Sequence, residues 1–383
     1  MGLSKTIWAS PAEIIRTKRP ENPVMVFAPT VLQATARRFI QGFPGLVTYA
    51  VKSNPDEMVI QNLIAAGVKG FDVASPHEID LIGRLAPGAA RHYHNPVRSA
   101  AEIAHAVAAG ITAWSVDSQS ELDKLLAAVP AKGCEISPRF KLPVTGAAYD
   151  FGAKFGATPD RAAELLARVA QAGFIPSLTF HPGTQCTDPH AWEAYIRTAA
   201  EIGRMAGVRI ARLNVGGGFP SHRVSAITPE LEAIFTLIGQ VTAEAFGDAA
   251  PQLVCEPGRG LVADSFALIT RVKAVRDDNH VFLNDGVYGG LMELPMIGNI
   301  DRIQVLSPEG LPRSEEIVPR IVFGPTCDSV DRLPGELALP ADLVEGDYVL
   351  FHGAGAYSNA TNTRFNGFGE MAFATVMSLG VEA

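Results

Sequence analysis

The feature that most constrains this chain is an eightfold alternation between short apolar runs and longer amphipathic stretches, beginning near residue 47. The runs fall at 47–51, 70–73, 92–94, 113–116, 135–140, 177–180, 209–215 and 253–255. Short runs rich in β-branched and aromatic residues read as buried strands, and apolar residues recurring every three or four positions read as helices. Helical patterns lie between the runs, as at 76–85, with Ile79, Ile82 and Leu85 on one face, and at 118–128, with Leu122, Leu125 and Leu126. The alternation predicts parallel βαβ units. Eight of them predict a closed (β/α)8 barrel, because eight parallel strands close around a core that side chains fill. An open doubly wound sheet is the alternative arrangement of the same units.

From about residue 263 the period changes, and 268–275, 302–306, 317–323 and 348–351 read as strands without helices between them. This predicts a C-terminal β-sandwich or β-barrel domain. The run 24–27 precedes the first barrel helix and can add a strand to that domain. The expected division is therefore a barrel over 29–262 and a β domain from 1–28 plus 263–383, which a chain of 383 residues readily accommodates.

Lys and Arg number 32 against 40 Asp and Glu, a net charge of −8. Such a surface repels phosphate backbones, which argues against nucleic-acid partners and favours a small cationic ligand. The four cysteines, Cys134, Cys186, Cys255 and Cys327, include no CxxC pair, so neither a zinc ribbon nor a disulfide framework is signalled and a reducing, cytoplasmic setting is expected. No apolar run approaches the roughly 20 residues of a membrane span, and the start lacks a signal-peptide pattern. Met1-Gly2-Leu3-Ser4-Lys5-Thr6 fits a loose myristoylation pattern. We read it as coincidence, since one acyl chain binds membranes only marginally.

Barrel enzymes place their chemistry at the C-terminal ends of the strands. In chain order those positions hold Lys52, Asp72, His94 with Asn95, Asp117, Arg139, His181, Gly216-Gly217-Gly218, and Glu256 followed by Pro257-Gly258-Arg259. Lys52 follows an apolar strand directly, an awkward place for a solvated charge. A partly desolvated lysine there loses proton affinity and forms Schiff bases with carbonyls. The glycine triplet lets backbone N–H groups approach a phosphate, and Arg259 beside Gly258 adds a guanidinium suited to phosphate oxygens. No dinucleotide fingerprint or Gly-Lys-Ser/Thr loop is present. Lysine, phosphate cradle and carboxylate together point to pyridoxal 5′-phosphate (PLP), with Glu256 at the pyridine nitrogen keeping the ring a good electron sink. His92 and His94 share one strand face, but with no carboxylate or third histidine beside them in sequence no metal is expected.

Six motifs then occur in order: Tyr49-Ala50-Val51-Lys52-Ser53-Asn54, Gly217-Gly218-Phe219-Pro220, Glu256-Pro257-Gly258-Arg259, Asn284-Asp285-Gly286-Val287-Tyr288, Gly324-Pro325-Thr326-Cys327-Asp328 and Phe365-Asn366-Gly367-Phe368. Together they resemble the alanine-racemase-like (fold type III) PLP-dependent decarboxylases, in particular the ornithine decarboxylase branch, over about residues 24–369. The resemblance implies a PLP-binding barrel with a C-terminal β domain. It makes Lys52 the Schiff-base lysine, puts His181 on the cofactor ring and Glu256 at its nitrogen, and lines the site with Asp72 and Arg139. Thr184, Gly217, Gly218, Gly258, Arg259 and Tyr357 would hold the phosphate, Cys327 would return a proton to Cα, and Asp285 and Asp328 would bind the substrate's distal ammonium.

The implied reaction is decarboxylation of a basic L-amino acid, L-ornithine to putrescine in polyamine biosynthesis. The alternatives are a lysine or dual lysine/ornithine decarboxylase, a diaminopimelate decarboxylase, an amino-acid racemase and a catalytically silent partner-binding paralogue. The resemblance also implies a homodimer with shared active sites, with Lys154 and Asp331 as an ion pair across the interface. Two departures stand out. His181-Pro182-Gly183-Thr184 replaces the family's usual His-Val-Gly-Ser, and 358–364 is more polar than the small apolar run of close ornithine decarboxylases, which bears on chain-length preference.

Overall fold

The computed structural model describes residues 6–143, 154–226, 228–277, 279–298 and 300–380; the pattern at Met1–Thr6 lies almost wholly outside them. The chain divides into two compact units, one of residues 36–220 and 229–261, the other of residues 1–35, 221–228 and 262–383.

The first unit is the barrel. Its parallel strands run in chain order through Leu46–Ala50, Gly70–Val73, Ala90–Tyr93, Ala113–Val116 and Glu135–Pro138, each paired with the next. The sixth strand is interrupted at Ser177. Its first half, Ile175–Pro176, pairs with Glu135–Pro138, and its second half, Leu178–Thr179, pairs with Arg212–Asn214. Gln252–Cys255 then joins Arg212–Asn214 to Leu46–Ala50 and closes the ring. An open sheet would leave two unpaired edges; here one interrupted strand serves both neighbours, and the eightfold alternation is a barrel.

The helices begin where the sequence supplies caps. Ser75, Ser99 and Ser118 each accept the backbone N–H of the glutamate three residues on, Glu78, Glu102 and Glu121. Satisfying an orphan donor in this way starts a helix at a defined residue and fixes the length of the preceding βα turn. The turn in turn fixes which residue sits at the strand's end.

The second unit is a mixed sheet built from both ends of the chain. Its pivot is Phe266–Arg276, which pairs antiparallel with Val24–Phe27 on one side and Tyr348–His352 on the other. It also pairs antiparallel with His280–Leu283, with a bulge between Val272 and Ala274. Ile303–Leu306 pairs with Tyr348–His352, while Ile317–Phe323 and Leu337–Pro340 extend the sheet beyond His280–Leu283. Ala372–Val376 runs parallel to Val24–Phe27, and Ile7–Trp8 completes that edge. The helix Pro11–Lys18, capped by Ser10, buries Ile14 and Ile15 against Val24, Val26, Ile269, Leu306, Tyr348, Leu350 and Val376. Burying this apolar surface stabilises the unit by roughly 25 cal/mol per Å² removed from water. Among the described residues no helix is long and apolar enough to cross a membrane.

Candidate active site

A cavity of about 260 Å³ opens at the C-terminal end of the barrel strands, lined among others by Lys52, Asp72, His94, Arg139, His181 and Glu256. Six separate strand ends supply these side chains, which sequence order alone keeps far apart. Lys52 lies in a single turn of 3-10 helix, Val51–Ser53, that ends the first strand, and its side chain is exposed. Val51 and Ser53 on either side are buried, while Lys52 itself, which lines this cavity, is more exposed than the partly desolvated lysine expected from the apolar run.

Glu256 and Asp72 sit in one cavity with opposite tendencies. Burial alone would raise the Glu256 carboxyl, but His94 and Asn214, which both contact its Oε1, more than offset this and hold it below the usual carboxylate range. The carboxylate accepts, so His94 Nδ1 is the donor of that pair. Asp72 is pushed up, first by burial and then by the Glu256 charge, and its Oδ1 has no hydrogen-bond partner among the described residues. Two carboxyls with diverging proton affinities in one pocket are an acid and a base held side by side. Burial, with Arg139 and Lys52 nearby, lowers His181 well below its ordinary value, so its ring is neutral at neutral pH. Its Nδ1 accepts from Gly183 N at 3.0 Å. Arg139 stands over the Phe155 ring at 5.3 Å, as does Lys154 at 4.9 Å.

The glycines are close-approach positions. Gly218 has φ +86° and a Cβ there would lie 2.2 Å from the Gly183 oxygen; a Cβ on Gly217 would lie 2.7 Å from the Glu256 oxygen and 3.1 Å from His181 Nε2. A Cβ on Gly258 would meet Ser53 at 3.0 Å. Thr184 is half-buried in the turn whose Cys186 N donates to Gly218 O at 2.9 Å, and Arg259 is buried at the start of Arg259–Val262. The structure thus gathers Lys52, Asp72, Arg139, His181, Thr184, Gly217, Gly218, Glu256, Gly258 and Arg259 in the barrel unit. Tyr357, Cys327, Asp328 and Asp285 belong to the β unit. Tyr357 has φ +63° and its carbonyl accepts from Thr361.

In the β unit Cys327 is exposed, whereas Cys134, Cys186 and Cys255 of the barrel unit are buried. Asp328 Oδ2 accepts from the Tyr288 hydroxyl at 2.6 Å, and that bond lowers its proton affinity. The structure does not pair Asp285 with Asp328. Asp285 is 3% exposed and its Oδ2 accepts from Gly290 N at 2.9 Å, so the carboxylate is committed to the 286–290 loop. Asp331 is likewise buried, accepting from Val287 N, Thr326 N and Thr326 Oγ1. The polar residues of 358–364 serve their own loop: Thr361 Oγ1 donates to Tyr357 O, Asn362 Nδ2 to Gly369 O and Thr363 Oγ1 to Tyr288 O.

Sequence reasoning missed His94 and Asn214 as partners of Glu256. The signal was a polar residue closing an apolar strand run, as at Asn214. The argument against metal at His94 also fails in space, since Asp72, His94 and Glu256 offer ligand atoms within 4.8 Å of one another. The donor set fits PLP: cations Lys52 and Arg139 and the glycine-lined backbone suit an anionic phosphate and an aldehyde, while Asp72 Oδ1 and Glu256 suit a ring N–H.

Fold and site together define a barrel enzyme with a β domain that handles a pyridoxal cofactor. Residues 31–263 match the family model described as "pyridoxal-dependent decarboxylase, pyridoxal binding domain". The ornithine decarboxylase of Panagrellus redivivus is 29% identical, the match covering 95% of this chain and 88% of that protein. The arginine decarboxylase of Paramecium bursaria Chlorella virus superposes with a TM-score of 0.84 at 28% identity over 94% of this chain and 98% of that one. The lysine/ornithine decarboxylase of Vibrio vulnificus, in complex with cadaverine, gives 0.81 at 26% identity over 96% and 99%. The chain belongs to the pyridoxal-dependent decarboxylases of fold type III. Its cofactor is PLP and it is a carboxy-lyase.

Proposed function

We propose that the protein decarboxylates L-ornithine to putrescine. The observation that carries the substrate class is Asp328: next to Cys327, it is kept ionised by the Tyr288 hydroxyl, and an anion there suits a substrate ending in ammonium. Relatives named as ornithine decarboxylases support the chain length. Bound PLP supplies the electron sink that lets the bond to the substrate carboxylate break. Lys52 would hold the cofactor through its amine until the substrate amine takes its place. Glu256, charged and oriented by His94 and Asn214, keeps the proton on the ring nitrogen. Asp72 and Arg139 would line the cofactor site, and the neutral His181 ring would lie against the cofactor ring. Thr184, Gly217, Gly218, Gly258, Arg259 and Tyr357 hold the phosphate, and Cys327 delivers a proton to Cα. Asp285 has no part in this reading because its carboxylate holds its own loop.

A second reading, lysine or lysine together with ornithine, is favoured by the Vibrio vulnificus structures with cadaverine and with putrescine. One methylene is worth only about 1 to 3 kcal/mol in a pocket, so the two substrates are close competitors. Release of CO2 is to be measured from L-ornithine, L-lysine, L-arginine and meso-diaminopimelate. The highest kcat/KM on ornithine is expected, and a preference for arginine or diaminopimelate overturns the assignment. In the same series Lys52→Ala loses both CO2 release and the visible absorbance of lysine-bound PLP; an unchanged spectrum removes Lys52 from its role.

A further inference from the structure

Cys327 sits on an exposed turn, where a thiol on a flexible side chain samples several rotamers and points its proton nowhere in particular. Here one side chain removes that freedom. Asn366 Oδ1 lies 3.1 Å from Cys327 N and 3.2 Å from Cys327 Sγ. A backbone N–H only donates, so the amide atom facing it is the oxygen, and the same oxygen accepts the S–H. Asn366 holds φ +55° inside Phe365–Gly367, a conformation that asparagine tolerates and most residues do not. The segment is fastened to the same neighbourhood: Thr363 N and Oγ1 both donate to Tyr288 O, the Phe365 and Tyr288 rings lie 4.6 Å apart, and Tyr288 donates to Asp328. Cys327 and Asp328 are therefore held from one side by a single clasp.

We propose that Asn366 is a positioning residue for reprotonation, fixing the Cys327 thiol with its proton in place until the substrate carbon needs it. This rests on the reading of Cys327 as proton donor. In that step the S–H bond breaks, sulfur keeps its electron pair as thiolate, and the proton joins the pair left on Cα by departing CO2; solvent later reprotonates the thiolate. Without that delivery, bound PLP would retain the electron pair and the substrate nitrogen. Hydrolysis then gives an aldehyde from the substrate and pyridoxamine phosphate in place of an amine and PLP.

Asn366→Gly keeps the positive φ and removes the oxygen; Asn366→Asp keeps an oxygen acceptor at the same place. Two readouts are compared in the holoenzyme: the ratio of aldehyde to amine product, and the Cys327 S–H stretch, isolated by infrared difference against Cys327→Ala. Asn366→Gly should shift the S–H band to higher frequency and raise the aldehyde ratio about tenfold, below the roughly 10²–10⁴-fold of a lost general acid because the thiol itself remains. Asn366→Asp should restore the amine product. An unshifted band, or an Asp variant that behaves like the Gly variant, overturns the role of Asn366. Absence of aldehyde in Cys327→Ala itself overturns the proton-donor reading beneath it, while the band still reports whether the hydrogen bond exists.

Discussion

A buried carboxyl with no cation beside it makes folding depend on pH, and Asp285 is such a group. Burial, with the Asp331 charge nearby, pushes it up to about 7, against the opposing N–H groups of Gly290 and Gly286. An acid whose folded affinity is raised binds more protons folded than unfolded, so unfolding free energy falls as pH rises from the unfolded value near 4 to about 7. Below that window the folded state keeps its full advantage; above it the cost is complete. Asp285→Asn cannot ionise and should flatten the slope by up to about 1.4 kcal/mol per pH unit within the window. Chemical denaturation of the holoenzyme at several pH values checks this, and parallel curves for wild type and variant refute it. The same residue shows where sequence reading stopped. Its motif context suggested a substrate ligand, but only coordinates show the carboxylate turned into its own loop. The legible signal was glycine at 289 and 290, where a Cβ on Gly289 would lie 1.7 Å from Asp285 Oδ1.

At the scale of elements, the strands of the barrel were legible because burial on both faces writes mostly apolar runs, as in Gly70–Val73 and Ala113–Val116, broken only by Asp72 and Ser115. The interruption at Ser177 was not, since it comes from the strand serving two neighbours rather than from composition. In the β unit His280–Leu283, Leu337–Pro340 and Ala372–Val376 went unread, being four or five residues with partly exposed faces. The caps carry their own prediction. Ser99 and Glu102 form a reciprocal capping box, whereas Glu78 reaches back to Ala74 N and Glu121 to Arg98 N. Ser99→Ala should cost about 1 kcal/mol. The Ser99→Ala, Glu102→Ala double variant should lose less than the sum of the single losses, because either change breaks the same box. Additive losses in thermal or urea unfolding exclude that coupling.

For the whole molecule, the β unit is discontinuous: Val24–Phe27 from the start and Ala372–Val376 from the end flank one another and share the sheet with Phe266–Arg276. The strand run standing before the first barrel helix pointed only to Val24–Phe27, not to its neighbour Ala372–Val376. The distribution of chemistry between units gives the last prediction. Lys52 belongs to the barrel unit and Cys327 to the β unit. Family resemblance implies that each site draws these two residues from different copies, which an isologous twofold dimer permits. Mixing Lys52→Ala, which is inactive, with Cys327→Ala, which makes no amine, should then restore amine production. At random exchange about half the dimers are mixed, and each holds one site with both residues intact and one with neither. Recovery should approach about a quarter of wild type. Exchange is monitored independently, by mass spectrometry of differently tagged copies. Demonstrated exchange without recovery means that Lys52 and Cys327 serve a site within one chain, and the shared-site dimer is wrong.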